Sequence, residues 1–125
     1  MPSRAEVVLF DCRQDDVAVV RQASASVGPA VHVADNAVEV AHHVVARRPA
    51  AIFIGIGRST LHNLDVIPVI HTAHAGLPVI VIADEDSLDL ERRARKRPIF
   101  YYLVRPANQA EVAAVLKDVL RRARD

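Results

Sequence analysis

The chain has 125 residues, 51% of them hydrophobic, a formal charge of +1 and one cysteine. That length suits one core rather than two, the near-neutral charge provides no whole-chain field for nucleic acid or an anionic membrane, and a lone cysteine excludes an internal disulfide and a thiolate zinc site. No run of 18 apolar residues suggests a membrane span and the opening Met-Pro-Ser-Arg-Ala-Glu is not signal-like, so a single cytoplasmic domain over 1–125 is expected.

Short β-branched runs alternate with longer segments of helical period, which predicts five βα units and an α/β, doubly wound parallel sheet. The first strand is expected at 6–11, and Asp15 and Asp16 then open a helix that Gly28-Pro29 stops. A short strand at 31–34 leads to Asp35 or Asn36 as cap of a second helix, which ends at Arg47-Arg48 before Pro49. The third strand, 51–55, ends on Gly55, and Pro68 predicts a late, kinked or short helix after it. Residues 78–83 form an almost wholly apolar fourth strand, and Asp84-Glu85-Asp86 mark the start of a helix carrying the basic run through Arg97. A fifth strand at 99–104 precedes a last helix, with a capping box at Asn108-Gln109-Ala110-Glu111 and Val112, Val115, Leu116, Val119 and Leu120 facing inward.

Three anchors in this order resemble the response-regulator receiver (CheY-like) family. Val-Val-Leu-Phe-Asp-Cys, ending at Asp11-Cys12, is similar to its apolar strand followed by two acids. Leu-Pro-Val-Ile-Val-Ile-Ala, ending at Ala83, is similar to its fourth strand, which ends in Thr or Ser. Tyr-Tyr-Leu-Val-Arg-Pro, ending at Pro106, resembles its fifth strand, with an aromatic three residues before a Lys-Pro pair. The resemblance implies a flavodoxin-like (βα)5 fold of strand order 2-1-3-4-5, with its site at the carboxyl ends of the strands and a cis bond before Pro106.

It also implies a degenerate site. Asp11 keeps one metal-binding acid, Cys12 replaces the other, Gly55 stands at the phosphoacceptor position, Ala83 replaces the hydroxyl and Arg105 the lysine. Sliding the third strand by one or two residues finds no acid there. Gly55 can offer neither a nucleophile nor a ligand for Mg2+. No catalytic residue, metal or cofactor is therefore expected, and the chain is not read as an enzyme. Asp11 and Arg105 would cancel, gaining on the order of 4 kcal/mol before desolvation at about 4 Å and an effective dielectric near 20. Arg105 either plugs the pocket on Asp11 or reaches solvent.

The family's switch aromatic maps to Tyr102, read as a docking-face residue against the plainer role of edge packing, with Tyr101 toward the core. Cys12 reads as a small buried hydrophobe rather than a redox sensor. His71 with His74, His42 with His43, and the lone His32 and His62 read as solvated side chains, for want of a third ligand.

The basic cluster is the one positive signal. Asp89–Arg93 and Glu91–Arg95 are i,i+4 pairs, which leaves Arg92, Lys96 and Arg97. The reading is a non-phosphorylatable pseudo-receiver in a bacterial two-component-type pathway. It would act through protein contacts on the face of the fourth helix, fifth strand and fifth helix, toward a kinase, an output domain, another signalling protein or a second copy. The alternative is a sensor of the same fold that binds a cyclic dinucleotide such as cyclic di-GMP through Arg92, Arg93, Arg95, Lys96 and Arg97, with Arg122-Ala-Arg-Asp125 as a weak second motif. A more distant reading places phosphorylation on Asp11.

Overall fold

In a computed structural model that describes residues 4–84 and 87–124, the chain forms a five-stranded parallel sheet of order 2-1-3-4-5. The strands are β1 (Glu6–Phe10), β2 (Ala30–Ala34), β3 (Ala51–Ile56), β4 (Val79–Ala83) and β5 (Tyr101–Val104). The helices are α1 (Gln14–Val27), α2 (Ala37–Arg47), α3 (Val66–Ala73), α4 (Leu88–Ala94) and α5 (Gln109–Arg124). Every residue of β3 and β4 is buried, as central strands covered on both faces must be.

Alternation along the strands splits the core in two. Val8, Ile52, Ile54, Val79 and Val81 pack under α2, α3 and α4 through Val40, Val44, Ile67, Ile70 and Ala94. Val7, Leu9, Phe53, Ile80, Ile82 and Leu103 pack under α1 and α5 through Val20, Ala23, Val112, Val115, Leu116 and Val119. The expected inward face of α5 is thus found, with Leu120 only partly covered.

The local signals act as their chemistry dictates. The Glu39 amide donates to Asn36 Oδ1 at 2.8 Å, and the Glu111 amide to Asn108 Oδ1 at 3.1 Å. After β3 the chain takes a 3-10 segment, Arg58–Asp65, and α3 follows, with Pro68 in its first turn where no intrahelical N–H bond is owed.

Helix α4 is shorter than expected. Ser87 Oγ accepts from the Leu90 amide at 3.2 Å to cap it, and the helix ends at Ala94. Arg95, Lys96 and Arg97 lie beyond the helix, and Pro98 disfavours helical backbone at Arg97 just before it. Glu85 and Asp86 lie outside the described residues, as does Asp125 of the Arg122–Asp125 motif.

Candidate functional site

The carboxyl ends of β1, β3, β4 and β5 bring Asp11, Gly55, Ala83 and Arg105 to one edge of the sheet. The Arg105 amide donates to the Ala83 carbonyl at 2.8 Å, and the Arg105–Pro106 bond is cis, as the resemblance implied. Ala83 is fully buried and contributes only its backbone.

Arg105 does not pair with Asp11. Its Nε donates to Asp16 Oδ2 at 3.0 Å, while its Nη1 donates to Asp84 Oδ1 at 3.0 Å and to the Ile56 carbonyl at 3.0 Å. The expected Asp11 partner is therefore corrected, and the reason is burial. The Asp16 side chain is only 3% exposed and the Arg105 side chain 10%, so each strongly needs a counter-charge. Asp11 is exposed, where water already compensates its carboxylate. Asp11 instead takes a left-handed backbone with φ 53°, and its Oδ2 accepts from Asn63 Nδ2 at 2.8 Å. The same Asn63 nitrogen donates to the Gly55 carbonyl at 2.8 Å, which ties the 3-10 segment to β1 and β3.

Gly55 sits under this network. A Cβ there would stand 2.2 Å from the Asp11 carbonyl oxygen and 2.9 Å from Arg105 Nη2. The neighbouring Gly57 is crowded in the same way, since a Cβ would meet Asp84 Oδ2 at 2.5 Å. Arg13 completes the group with an ion pair to Asp84. Asp16, Asp84, Asn63 and Arg13 were not singled out as site residues in the sequence. Asp16 carries the signal of a helix opener, which it also is, accepting from the Arg13 amide at 2.9 Å.

Cys12 packs against the α1/α5 half of the core, and burial, with Asp16 beside it, pushes its thiol up to about 12. The two tyrosines reverse the expected order. Tyr101 is exposed, with its hydroxyl donating to Glu111 at 2.8 Å, while Tyr102 packs against the α2–α4 half of the core with the Arg95 guanidinium 5.6 Å from its ring centre. β5 is an edge strand, so which face is covered depends on how far the flanking helix reaches, and alternation alone does not tell.

The basic cluster is largely partnered: Arg93 with Asp89 at 3.2 Å, Arg95 with Glu91 at 2.8 Å and Arg97 with Asp65 at 2.9 Å. Arg97 was expected to be left over. Its partner lies on the 3-10 segment, 32 residues away, which no local spacing reveals.

His42 and His62 are exposed, as expected, but three other histidines are less solvated than expected. His32 and His43 stack with ring centres 4.1 Å apart, His32 pairs with Glu39 at 2.8 Å, and His43 pairs with Glu6. His71 bonds the Leu77 carbonyl at 3.0 Å. Among the described residues no group of three His, Cys, Asp or Glu side chains is arranged to hold a metal ion, and no helix is long and apolar enough to cross a membrane.

No protein-family model matches this sequence, and no curated protein matches it. Solved structures do. A response regulator from Thermotoga maritima superposes with a TM-score of 0.82 at 18% identity, over 95% of this chain and 99% of that one. A CheY-like protein (TadZ) from Pseudomonas aeruginosa PAO1 gives 0.80 at 18%, over 92% and 98%. NtrX from Brucella abortus, in complex with ADP, gives 0.78 at 17%; it covers 98% of this chain, which spans only 27% of NtrX. Identities this low establish the fold, which is that of CheY-like receiver domains.

Proposed function

We propose that the chain is a pseudo-receiver: a signalling domain that neither binds Mg2+ nor accepts a phosphoryl group, and that acts through protein contacts in a bacterial two-component-type pathway. One observation carries this reading. The Arg105 guanidinium, held by Asp16, Asp84 and the Ile56 carbonyl, lies directly over Gly55. The donor set does not fit Mg2+, because Asp11 is the one carboxylate left of the family pattern, Cys12 stays a neutral thiol, and a fixed cation already neutralises the nearby acids.

Gly55 places no nucleophile at the phosphoacceptor position, so the reading includes no enzymatic step. Asp11 offers a carboxylate, but among the described residues no group of three His, Cys, Asp or Glu side chains is arranged to hold a metal ion. Protein contacts are supported by the elements α4, β5 and α5, where Leu88, Tyr101 and Val104 expose large apolar side chains. A cytoplasmic setting and a protein partner belong to the same reading. The cyclic dinucleotide alternative is weakened by the acids that hold Arg93, Arg95 and Arg97.

The test is a two-dimensional amide spectrum recorded with Mg2+ and acetyl phosphate, then with beryllofluoride. The expected result is no change. Saturable, Mg2+-dependent shifts around residues 11, 55 and 83 would overturn the reading.

A further inference from the structure

At the opposite end of the sheet, where the strands begin, the C-termini of α2, α3 and α5 surround an open groove of about 1270 Å³. Its wall is basic. Arg48 caps α2 in a left-handed conformation with φ 45°, His71 and His74 close α3, and Arg122 lies on α5 with its guanidinium 4.8 Å from the Phe100 ring centre. The apolar side chains of Pro78, Pro98 and Ile99 line the groove as well.

A cation at one helix C-terminus answers the helix dipole and needs no further role. Here three helix C-termini converge, those of α2 and α5 with arginines and that of α3 with histidines, and among the described residues Glu6 is the one acid in the lining, already paired with His43. Among the described residues no carboxylate forms an ion pair with Arg47, Arg48 or Arg122. The concentration of positive charge is local, since the whole chain carries only +1.

We propose that this groove, walled by Arg48, His71, His74 and Arg122, docks an acidic segment of a partner protein. Shape favours a polypeptide over a small anion: enclosed small-molecule cavities run to about 300–1,000 Å³ with converging buried polar groups, whereas this trough is larger, open and partly apolar in its lining. Acidic side chains would meet the guanidinium and imidazole groups, and intervening apolar side chains would cover Pro98 and Ile99. The crowding of cations is already felt at His74. Burial, then Arg48 and His71, hold its pKa below the ordinary histidine value, and a bound carboxylate would reverse the last two influences. This surface is independent of the pocket under Arg105 and of the α4–β5–α5 face.

The probe is an acetylated, amidated hexapeptide, Glu-Leu-Glu-Glu-Leu-Glu, titrated into the isotope-labelled chain at low salt, with pyrophosphate in a parallel titration. Expected are saturable shifts confined to amides such as Gly76, Leu77 and Phe100, a rise in the His74 titration midpoint, and severalfold weaker binding at high salt. Arg48→Glu and Arg122→Glu, each checked for an unchanged fold by its spectrum, should weaken binding about tenfold. Arg21→Glu, which makes the same charge change on α1, should not. Absence of saturable shifts, equal loss in Arg21→Glu, or saturation by pyrophosphate but not by the peptide would overturn the proposal.

Discussion

Arg105 lies across Gly55, with its Nη2 2.9 Å from the point at which a Cβ on Gly55 would stand. The Asp11 carbonyl oxygen is closer still, at 2.2 Å from that point. Two obstacles of different kinds thus guard one position. A long side chain can swing aside, but the Asp11 carbonyl is backbone, fixed by a left-handed residue whose carboxylate is held by Asn63. Restoring an acid by Gly55→Asp is therefore expected to fail as a gain of function. The variant should lose about 1–3 kcal/mol through overpacking and take up no phosphoryl group from acetyl phosphate, as read by intact mass. Adding Arg105→Lys should not change that result, since the carbonyl remains. A phosphorylated double variant would show that the backbone obstacle is not real.

The ion pair beneath that side chain makes a second, separable prediction. Removing Arg105 leaves Asp16 buried and uncompensated, so Arg105→Ala should destabilise the fold by about 3 kcal/mol, within the range for breaking a buried pair. Asp16→Asn in the same background should recover part of that loss, because the neutral amide needs no counter-charge. Asp11→Asn should recover none. The double-mutant cycle, by denaturant unfolding, should give a coupling of about 1 kcal/mol or more for Arg105 with Asp16 and near zero for Arg105 with Asp11. The opposite ordering would reinstate the pairing that the sequence suggests.

That reversal shows where legibility ended. The five units and a cap at Asp35 or Asn36 follow from periodicity and local chemistry, which the chain carries on its face, whereas the sheet order followed from the family resemblance. The arrival of Arg105 at the carboxyl edge beside Gly55 followed from the family resemblance. Its choice among Asp11, Asp16 and Asp84 did not, because that choice depends on which acid is buried, and burial is a property of the assembled sheet. Asp16 looked like a helix opener and proved to be an opener and a counter-ion together. The Arg97–Asp65 pair and the His32–His43 stack were hidden for the same reason: each joins different elements.

Cys12 provides a pH-dependent test. Its thiol ionises near 9.0 when exposed and near 12 in the fold, with burial the main cause and the Asp16 charge next. The sign follows from proton linkage: between those values the unfolded chain has released a proton that the folded chain still binds, so stability falls as pH rises from about 9 toward 12. Below 9 the thiol contributes no slope. Cys12→Ala should flatten the alkaline limb of the stability curve. Alkylation by iodoacetamide at pH 8 should be slow in the native protein and fast in denaturant, because the thiolate is the nucleophile. Rapid native alkylation would contradict the burial of this thiol.

The basic run from the end of α4 through Arg97 separates a contact surface from a nucleotide site. A cyclic dinucleotide needs free guanidinium forks, and three of the four arginines here already face carboxylates, Arg93 on Asp89, Arg95 on Glu91 and Arg97 on Asp65. Arg95 also lies 5.6 Å from the Tyr102 ring centre, so moving it would uncover an aromatic side chain. These pairs are solvent-exposed and individually weak, about 0–1 kcal/mol each, so they do not forbid binding outright. They do mean that a ligand must displace several acids at once. Calorimetric titration with cyclic di-GMP at physiological salt is expected to show no saturable heat. A real site would bind in the micromolar range or tighter and lose roughly ten- to a hundredfold in affinity in Arg93→Ala or Arg97→Ala, the usual cost of one charge-assisted contact. Such a result would replace protein contact with ligand sensing as the reading of this face.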